Sequence, residues 1–339
     1  MEVKYVPSSD INSDLGIVNA ARVSLGKHQN ILDEKRDGKL IKYLITRNHW
    51  TPLAHSRLYF TLDNFDSGER LFFYEKANLA GFSILKIEES YVIKGSLYAF
   101  AMNLKAFSDE RRRDFISDCI HQKYPIAAQF MHLREHPSFV YNPRTFLTHE
   151  ISVKAASRSN PELYKLLTAS LYIKVPIFVA RQIRTSQVGF ACSDRYVENE
   201  AFVFNEVSRR YVNDEPEYYK IDQWRLRQGT SVKQGSTGIA SDADQIGLNS
   251  AQANSLDQGK RAYLWSKYEV APEQLRALLP QSMYTEFYMT GTLHRWAQFL
   301  ALRLQPDVQQ ETRDIAAQIA SCLTETHSDW AKHYQIEKL

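Results

Sequence analysis

The sequence predicts an α+β fold in which a central, mainly antiparallel sheet is flanked by helices. Strand-like segments rich in β-branched and aromatic residues lie at Val3–Val6, Arg57–Leu62 and Val175–Ala180. Longer segments between and after them place apolar residues at helical spacing. With 339 residues, the chain is long enough for one large domain or two ordinary ones.

Five segments predict helices, and prolines limit two of them. The predicted helices are Asp33–Arg47, Ser96–Phe107, Glu110–Tyr124, Ala271–Leu279 and Thr290–Leu304. Pro52 and Pro125 follow the first and third of these, and proline cannot continue a helix. Between Trp224 and Tyr263 there is no aromatic residue, and five of the thirteen glycines lie there. The first half of that stretch is therefore predicted to be a mobile loop.

Composition and charge exclude several classes of protein. The net charge of +3 implies no general affinity for nucleic acid, and Arg111–Arg113 is interpreted as a solvated helix face. The three cysteines, Cys119, Cys192 and Cys322, suit neither a disulfide framework nor a metal site, which indicates a reducing cytoplasm. For Cys192, both a buried structural thiol and a nucleophile stay open. The N-terminus does not resemble a signal peptide, and no apolar run approaches the ~20 residues that span a membrane.

The segment Val175–Tyr211 carries the most functional information. Its apolar start leads into Arg181 and Gln182, and its end packs Glu206, Ser208 and two arginines into five residues. Bidentate arginines are the usual partners of phosphate oxygens, and a serine hydroxyl can donate to the same group. The end of the segment therefore indicates an anionic nucleotide as ligand, although a surface loop with ordinary arginines has the same composition.

This arrangement resembles the flavin-dependent thymidylate synthases. Their signature is an Arg-His-Arg triplet, seven residues and then a serine within Asn-Glu-x-Ser-x-Arg-Tyr. The second half is present as Asn205–Tyr211, with Arg209 at a position that holds a small residue in the family. The triplet positions fall on uncharged Thr185, Ser186 and Gln187, and an insertion at roughly residues 191–203 follows them.

Three further blocks resemble the same family. The first is Ala20–Ser24, and the second is His49–His55, in which Ala54 replaces a glutamate of the family pattern. The third combines the segment around Arg276 with the predicted helix that ends near Arg303. On this helix, at 100° per residue, Arg303 points about 140° away from Gln298. One active site cannot easily use both residues, whereas two sites of an oligomer can.

The resemblance implies a role for each matching residue. Catalysis is expected from Arg303, Ser208 and His49. Cofactor binding is expected from Ser24, Thr51, Thr185, Ser186, Gln187, Glu206, Thr292, His294 and Gln298. Substrate binding is expected from Gln182, Glu206, Ser208, Arg209, Arg210, Arg276 and Arg303. A surface arginine or a helix-packing pair such as His294 and Gln298 would show the same sequence pattern.

The activity implied is the reductive methylation of dUMP to dTMP. FAD would take a hydride from NADPH, and methylenetetrahydrofolate would supply the one-carbon group. Composition predicts a cytoplasmic protein that needs no nucleic acid, membrane or metal. The resemblance implies a homotetramer, and it divides the chain into residues 1–66 and 168–339 of one domain, with residues 67–167 as a large insertion. Two alternatives stay open: a flavin-dependent pyrimidine nucleotide hydroxymethylase or other one-carbon transferase, and a non-catalytic nucleotide-binding homologue.

Overall fold

The structure, a computed structural model, contains twelve strands and thirteen α-helices within the residues it describes. These residues are 1–63, 82–88, 90–104, 110–131, 145–147, 153–154, 156–185, 191–193, 196–198, 201–212, 214–227, 229, 235–265, 268 and 270–339. The strands are β1 Glu2–Val6, β2 Arg57–Asp63, β3 Phe82–Ile87, β4 Ser90–Ser96, β5 Thr145–Leu147, β6 Thr168–Pro176, β7 Ala191–Ser193, β8 Tyr196–Glu198, β9 Val203–Glu206, β10 Arg225–Arg227, β11 Ser236–Ile239 and β12 Tyr284–Thr292.

The helices lie between and after these strands. They are α1 Ser8–Ile11, α2 Asp14–Arg22, α3 Glu34–Thr46, α4 Thr51–Ala54, α5 Leu97–Asn103, α6 Glu110–Lys123, α7 Pro125–Ala128, α8 Ile177–Arg184, α9 Asp242–Trp265, α10 Pro272–Leu275, α11 Leu293–Arg303, α12 Gln310–Thr326 and α13 Ser328–His333. Short 3₁₀ helices cover Val23–Leu25, Pro161–Lys165, Arg276–Leu278 and Ile336–Lys338.

The strands form antiparallel sheets, which confirms the predicted fold class. One sheet has four strands in the order β1-β6-β12-β9, and the other has six in the order β5-β2-β4-β3-β8-β7. Strands β10 and β11 make a separate two-stranded ribbon. In the four-stranded sheet, β12 pairs with the whole of β6, from Tyr284 opposite Pro176 to Thr292 opposite Thr168.

The four-stranded sheet separates two chemically different surfaces. Leu171, Ile173 and Val175 point from β6 into a fully buried core that also contains Trp296 of α11 and Trp330 of α13. Each such side chain stabilises the fold by roughly 1.5–3 kcal/mol when it is removed from water. Side chains of a strand alternate between the two faces of a sheet. The residues between those named above therefore point to the other side of the sheet, and they are polar or aromatic.

The six-stranded sheet has its own core. Phe60 of β2, Phe82 of β3 and Phe100 of α5 pack edge to face, with ring centroids 4.9 Å apart for Phe60–Phe100 and for Phe82–Phe100. A Cβ added at Gly95 would lie 2.7 Å from both Phe82 and Phe100, so only glycine fits beneath these rings. Strands β3 and β4, from the predicted insertion, thus share a sheet with β2. The division of the chain at residues 66 and 167 stays a prediction.

Most of the predicted elements lie where the sequence placed them. Helix α3 begins one residue after Asp33, whose side chain accepts a hydrogen bond from the backbone nitrogen of Arg36 and caps the helix. Helix α6 ends at Lys123, two residues before Pro125. The predicted helix Ala271–Leu279 is present as the two short helices α10 and Arg276–Leu278. These agreements reflect local signals, namely caps and prolines.

Two predicted boundaries are wrong. Residues 177–180 were expected to continue a strand, but helix α8 begins at Ile177, directly after Pro176. Its buried residues Val179, Ala180 and Ile183 have helical spacing. Residues 290–292 were expected to be helical, but they end strand β12, and the Thr292 side chain caps α11 by accepting from the backbone nitrogen of Arg295.

The loop predicted in the first half of residues 225–263 is also wrong for the part that the structure describes. Strands β10 and β11 pair there as a ribbon, and helix α9 begins at Asp242. Helix α9 buries only Leu256, Gly259 and Ala262. Its apolar stripe is therefore too short to predict a helix of 24 residues.

Candidate nucleotide and flavin site

Four distant segments of the chain meet at the predicted site. They are the turn after Val23, the C-terminal turn of α8, the segment Glu206–Tyr211 and the last turn of α11. The backbone nitrogen of Ser208 donates to the carbonyl oxygen of Ser24 at 3.0 Å, which fixes the first segment to the third. Arg303 donates to the carbonyl oxygen of Gln182 at 2.6 Å, which fixes the fourth to the second.

An ion pair links the second and third segments. Nη1 of Arg184 donates to Oε2 of Glu206, and the hydroxyl of Thr285 donates to Oε1 of Glu206 at 2.6 Å. The guanidinium carbon of Arg184 also lies 5.6 Å from the centre of the Phe204 ring. A carboxylate has about four lone-pair sites. Glu206 therefore keeps acceptor capacity for a ligand while its position is fixed.

Ser208 and Arg210 form a donor pair at the surface. The Ser208 hydroxyl oxygen accepts from Nε of Arg210 at 3.2 Å and from its backbone nitrogen at 3.4 Å. Within the described ranges, neither the Ser208 hydroxyl hydrogen nor the two terminal nitrogens of Arg210 have a hydrogen-bond partner. The Arg210 guanidinium carbon lies 4.9 Å from the centre of the Tyr211 ring, and this contact orients the planar guanidinium group. The pair can bind an anion.

Arg209 points away from this pair. Its Nη1 donates to the carbonyl oxygen of Asp214 at 2.6 Å, and desolvation lowers the pKa of its guanidinium. Together with Arg276 it lines a small cavity of about 20 Å³ beside α9 and α10. Nε of Arg209 is buried and lacks a partner among the described residues. The structure thus brings two of the predicted phosphate ligands, Arg209 and Arg276, together in a cavity that neither Ser208 nor Arg210 lines.

Gln182 is held by the fold through both ends of its amide. Its Nε2 donates to Oε1 of Gln309, and its Oε1 accepts from the hydroxyl of Thr312 at 3.1 Å. Its carbonyl oxygen accepts from Arg303, whose side chain also lies 3.5 Å from the hydroxyl of Thr185. Desolvation lowers the pKa of Arg303. A substrate contact by the Gln182 side chain would require one of these bonds to open.

The opposed faces predicted for α11 are present. His294 and Gln298 are joined by a hydrogen bond of 3.1 Å between their Nε2 atoms, and Nδ1 of His294 lies 2.9 Å from the hydroxyl of Tyr334. Oε1 of Gln298 is buried and has no partner among the described residues. Thr292 is fully buried and caps the helix. These predicted flavin contacts border Tyr334, whereas Arg303 faces Gln182.

His49 and Thr51 lie at the surface beside the six-stranded sheet's core. The ring of His49 stacks on Tyr43 at a centroid distance of 5.9 Å and an interplanar angle of 16°. Both His49 and Thr51 are exposed, which leaves them free for a ligand.

Of the replaced triplet, only Thr185 lies within the described residues; its hydroxyl donates to the Gln182 carbonyl oxygen at 3.0 Å. Ser186 and Gln187 lie outside them.

His55 is a site-supporting residue whose role the sequence did not predict. Its Nδ1 lies 2.7 Å from the hydroxyl oxygen of Thr290 and its Nε2 lies 3.3 Å from Oδ1 of Asn205, the residue before Glu206. Complete burial, aided by the charge of Arg57, lowers the pKa of His55 to about 3, so the ring is neutral. The motif His49–His55 is thereby fixed to strand β9. Sequence spacing gives no signal for such a contact, because it depends on sheet register.

A comparison of the sequence with known protein families identifies the family of the chain. The family described as "Thymidylate synthase complementing protein" matches residues 153–327. The chain belongs to this family. The match includes all four of α8, β9, the Ser208–Tyr211 turn and α11, but it begins after the blocks Ala20–Ser24 and His49–His55.

Members of the Thymidylate synthase complementing protein family resemble the chain to different extents. A "Flavin-dependent thymidylate synthase" of Thermus thermophilus is 32% identical over 162 residues, which are 48% of this chain and 54% of that protein. The chain thus spans about half the length of the Thermus relatives it matches. The protein of the same description from Aquifex aeolicus is 24% identical over 326 residues, with 91% of this chain and 93% of that protein covered.

Solved structures show a weaker likeness. The crystal structure of a UMP/dUMP methylase, PolB, from Streptomyces cacaoi bound with 5-Br dUMP has a TM-score of 0.42 and 17% identity, covering 98% of this chain and 94% of that one. The same protein bound with 5-Br UMP gives 0.40 and 21%, covering 55% and 83%. Both TM-scores are below 0.5, so neither likeness bears on fold or function.

Within the described residues, no helix is both long and apolar enough to span a bilayer.

Proposed function

We propose that the chain is a flavin-dependent thymidylate synthase, which converts dUMP to dTMP with FAD, NADPH and methylenetetrahydrofolate. The observation that carries the proposal is the donor pair Ser208–Arg210. Its hydroxyl hydrogen and terminal guanidinium nitrogens are unpaired among the described residues. A hydroxyl donor beside a guanidinium favours an anionic ligand.

The phosphate of dUMP is assigned to the Ser208–Arg210 pair. A phosphate monoester carries about two negative charges near neutrality, and a planar guanidinium can bind two of its oxygens. The Tyr211 ring and the Ser208 oxygen already restrict Arg210 to one orientation. Little side-chain entropy is lost on binding, which strengthens the contact. Arg276 lines a separate cavity with Arg209, and its exposed side chain would have to turn from there to reach the same phosphate.

The uracil ring is assigned to the neighbourhood of Arg303. Nη2 of Arg303 donates to the Gln182 carbonyl oxygen at 2.6 Å and lies 3.5 Å from the Thr185 hydroxyl. The guanidinium group, directed at a uracil carbonyl oxygen, would stabilise negative charge that develops on the ring. Its partly desolvated position makes this interaction stronger than it would be in water.

The residues present fit a flavin, with one difference from the family signature. Oε1 of Gln298 is a buried acceptor without a described partner, and exposed His49 offers a ring already stacked on Tyr43. Ser24 donates its hydroxyl to the Ala21 carbonyl oxygen at 2.7 Å and keeps its acceptor lone pairs. When bound, the flavin supplies the redox chemistry of the reaction. The chain binds and orients the substrates.

A homotetramer in the cytoplasm belongs to the same proposal. Gln298 and Arg303 of one chain face different neighbours, which suits two active sites that each use one face of α11. Large apolar side chains at the surface of α9 and beyond it also suit a subunit interface. Ile246, Trp265, Tyr268 and Leu278 are between 60% and 73% exposed.

The test is a single-turnover assay of the purified full chain with FAD, dUMP, NADPH and methylenetetrahydrofolate, with the product identified by mass. A product heavier than dUMP by one CH₂ unit supports the proposal. A product heavier by CH₂O would instead identify a hydroxymethylase. Binding of dUMP without any product would identify a non-catalytic nucleotide-binding homologue.

A further inference from the structure

A second cavity lies between the four-stranded sheet and the first two helices. It has a volume of about 590 Å³, which falls in the range of small-molecule sites. Its floor consists of Tyr172, Glu286 and Tyr288 from strands β6 and β12. Asp10 and Asn19 contribute polar groups from α1 and α2. None of the residues assigned to the nucleotide and the flavin lines it.

The floor of the cavity contains one unpaired polar group. Tyr172 donates its hydroxyl to Glu286, which also lies 3.4 Å from Nζ of Lys174. Tyr288 is only 3% exposed, yet its hydroxyl has no hydrogen-bond partner in the part of the chain that the structure describes. Burial, followed by the negative charge of Asp10, raises the pKa of Tyr288 to about 12. The hydroxyl is therefore protonated and can donate to a ligand.

The surrounding groups define the chemistry of that ligand. Tyr172 and Tyr288 present aromatic rings 5.7 Å apart at an angle of 66°, and such surfaces pack well against a planar ring. The Asp10 carboxylate accepts a hydrogen bond from Ser9 at 3.0 Å and keeps further acceptor sites. One donor and one acceptor complement the lone pairs and N–H groups at the edge of a nitrogen heterocycle.

The rim of the cavity is basic. Lys27 and His28 line it and are exposed, and neither forms an ion pair within the described residues. They follow Gly26, whose φ of 62° lies in the left-handed region that favours glycine. The turn that glycine allows directs the basic pair to the cavity, where it would attract a negatively charged substituent.

The cavity shares a wall with the proposed nucleotide site. Val23 and Gly26 line the cavity, while Ser24 between them accepts the hydrogen bond from Ser208. A Cβ at Gly26 would lie 3.8 Å from Val212, so the other side of this wall contacts the turn that contains Ser208. A ligand in the cavity would therefore support the segment on which Ser208 rests.

We propose that this cavity is a second binding site, distinct from the Ser208–Arg210 site, for a planar nitrogen heterocycle with an anionic tail. The ring lies between Tyr172, Tyr288 and Asp10, and the tail extends to Lys27 and His28. Nucleoside triphosphates have this chemistry.

Isothermal titration of the full chain, saturated with dUMP, tests the proposal with two separate probes, dTTP and dATP. One probe is expected to bind at one site per chain. Tyr288→Phe should weaken that probe about fivefold, since it removes one hydrogen bond and keeps the ring. Lys27→Glu should weaken it about tenfold by repelling the tail. Lys332→Glu, on α13 and outside the cavity, is the matched control and should leave the affinity unchanged.

Three outcomes would overturn the proposal. The first is that no probe binds up to millimolar concentration. The second is equal affinity in wild type and Tyr288→Phe, with the fold of the variant verified by circular dichroism. The third is loss of the probe in Arg210→Lys but not in Lys27→Glu, which would place it in the Ser208–Arg210 site. Because product formation is not the readout, failure of the proposed synthase reaction leaves this test intact.

Discussion

Arg184, in the last turn of helix α8, forms an ion pair with Glu206 at the end of strand β9. The Arg184 side chain is 49% exposed and that of Glu206 is 29% exposed. Exposed pairs stabilise a fold by only about 0–1 kcal/mol. The pair therefore matters more for the charge it places at the site than for stability. Arg184 precedes the replaced triplet by one residue, so it supplies a cation close to the position where the family has two.

Arg184→Gln should weaken FAD binding and leave dUMP binding and the thermal midpoint almost unchanged. Neutral hydrogen bonds are about half as strong as charge-assisted ones, and the predicted flavin contacts of the triplet are all neutral. Titration with FAD and with dUMP measures both affinities. Unaltered FAD affinity would show that Arg184 does not compensate for the cations that the replaced triplet lacks. Arg195, which lies outside the described residues, is the next arginine to substitute by alanine in the same way.

Arg303→Ala should reduce kcat by a factor on the order of 10²–10³, as expected for loss of one electrostatic stabiliser of developing charge. The control is Arg313→Ala, which removes an arginine that donates to the Pro306 carbonyl oxygen at 3.1 Å and to Oε1 of Gln310. That variant should keep wild-type turnover. A rate for Arg303→Ala equal to that of the control would remove Arg303 from the catalytic residues.

Arg210→Lys should weaken dUMP binding by about 1–3 kcal/mol and FAD binding much less. Lysine keeps the charge but loses the planar fork that can bind two phosphate oxygens. Arg227→Lys, on the exposed ribbon strand β10, provides the matched control. Equal weakening of both ligands, measured by titration, would indicate that Arg210 stabilises the turn and does not bind phosphate.

His55 should make the folded state less stable in acid. Its folded pKa of about 3 lies below the ordinary value of 6.5, so between these values the unfolded chain takes up a proton that the folded chain does not. The free energy of unfolding should therefore fall as the pH is lowered from 6.5, by on the order of 2 kcal/mol at pH 5 from this group. Urea unfolding at pH 7 and pH 5 measures the change.

His55→Gln removes that titration and should flatten the pH dependence below pH 6.5. The matched variant is His327→Gln, because burial also lowers the pKa of His327, to about 4. Each variant should remove part of the acid destabilisation. If the slope between pH 7 and pH 5 is the same in wild type and His55→Gln, His55 is not neutral in the folded protein.

The full chain should be a homotetramer, or at least a dimer, in solution. Trp265→Glu places a charge at a side chain that is 60% exposed on α9 and should shift the chain toward monomers. Lys260→Glu on the same helix is the control. Light scattering and kinetic measurements at the same dilution provide the readout. A fully active wild-type monomer would contradict the prediction.

The sequence alone determined the features that depend on local chemistry. Asp33 and Pro125 indicated where helices begin and end, and the β-branched and aromatic residues of Arg57–Leu62 indicated a strand. The residues Asn205–Tyr211 and Arg303 pointed to the family and to the proposed nucleotide site, since each motif places the required groups within a few residues. The 100° rotation per residue was also sufficient to predict that Gln298 and Arg303 diverge.

Only the tertiary structure decided which of these groups remain available to a ligand. Gln182 and Ser208 looked alike as candidate ligands, yet Gln309 and Thr312 hold the amide of Gln182, while the Ser208 hydroxyl hydrogen is left unpaired among the described residues. Sheet register, which no single segment encodes, set the contact between His55 and Asn205 and placed Tyr288 beneath a cavity. Such pairings depend on segments far apart in sequence that meet when their apolar faces are buried together, so no local pattern could predict them.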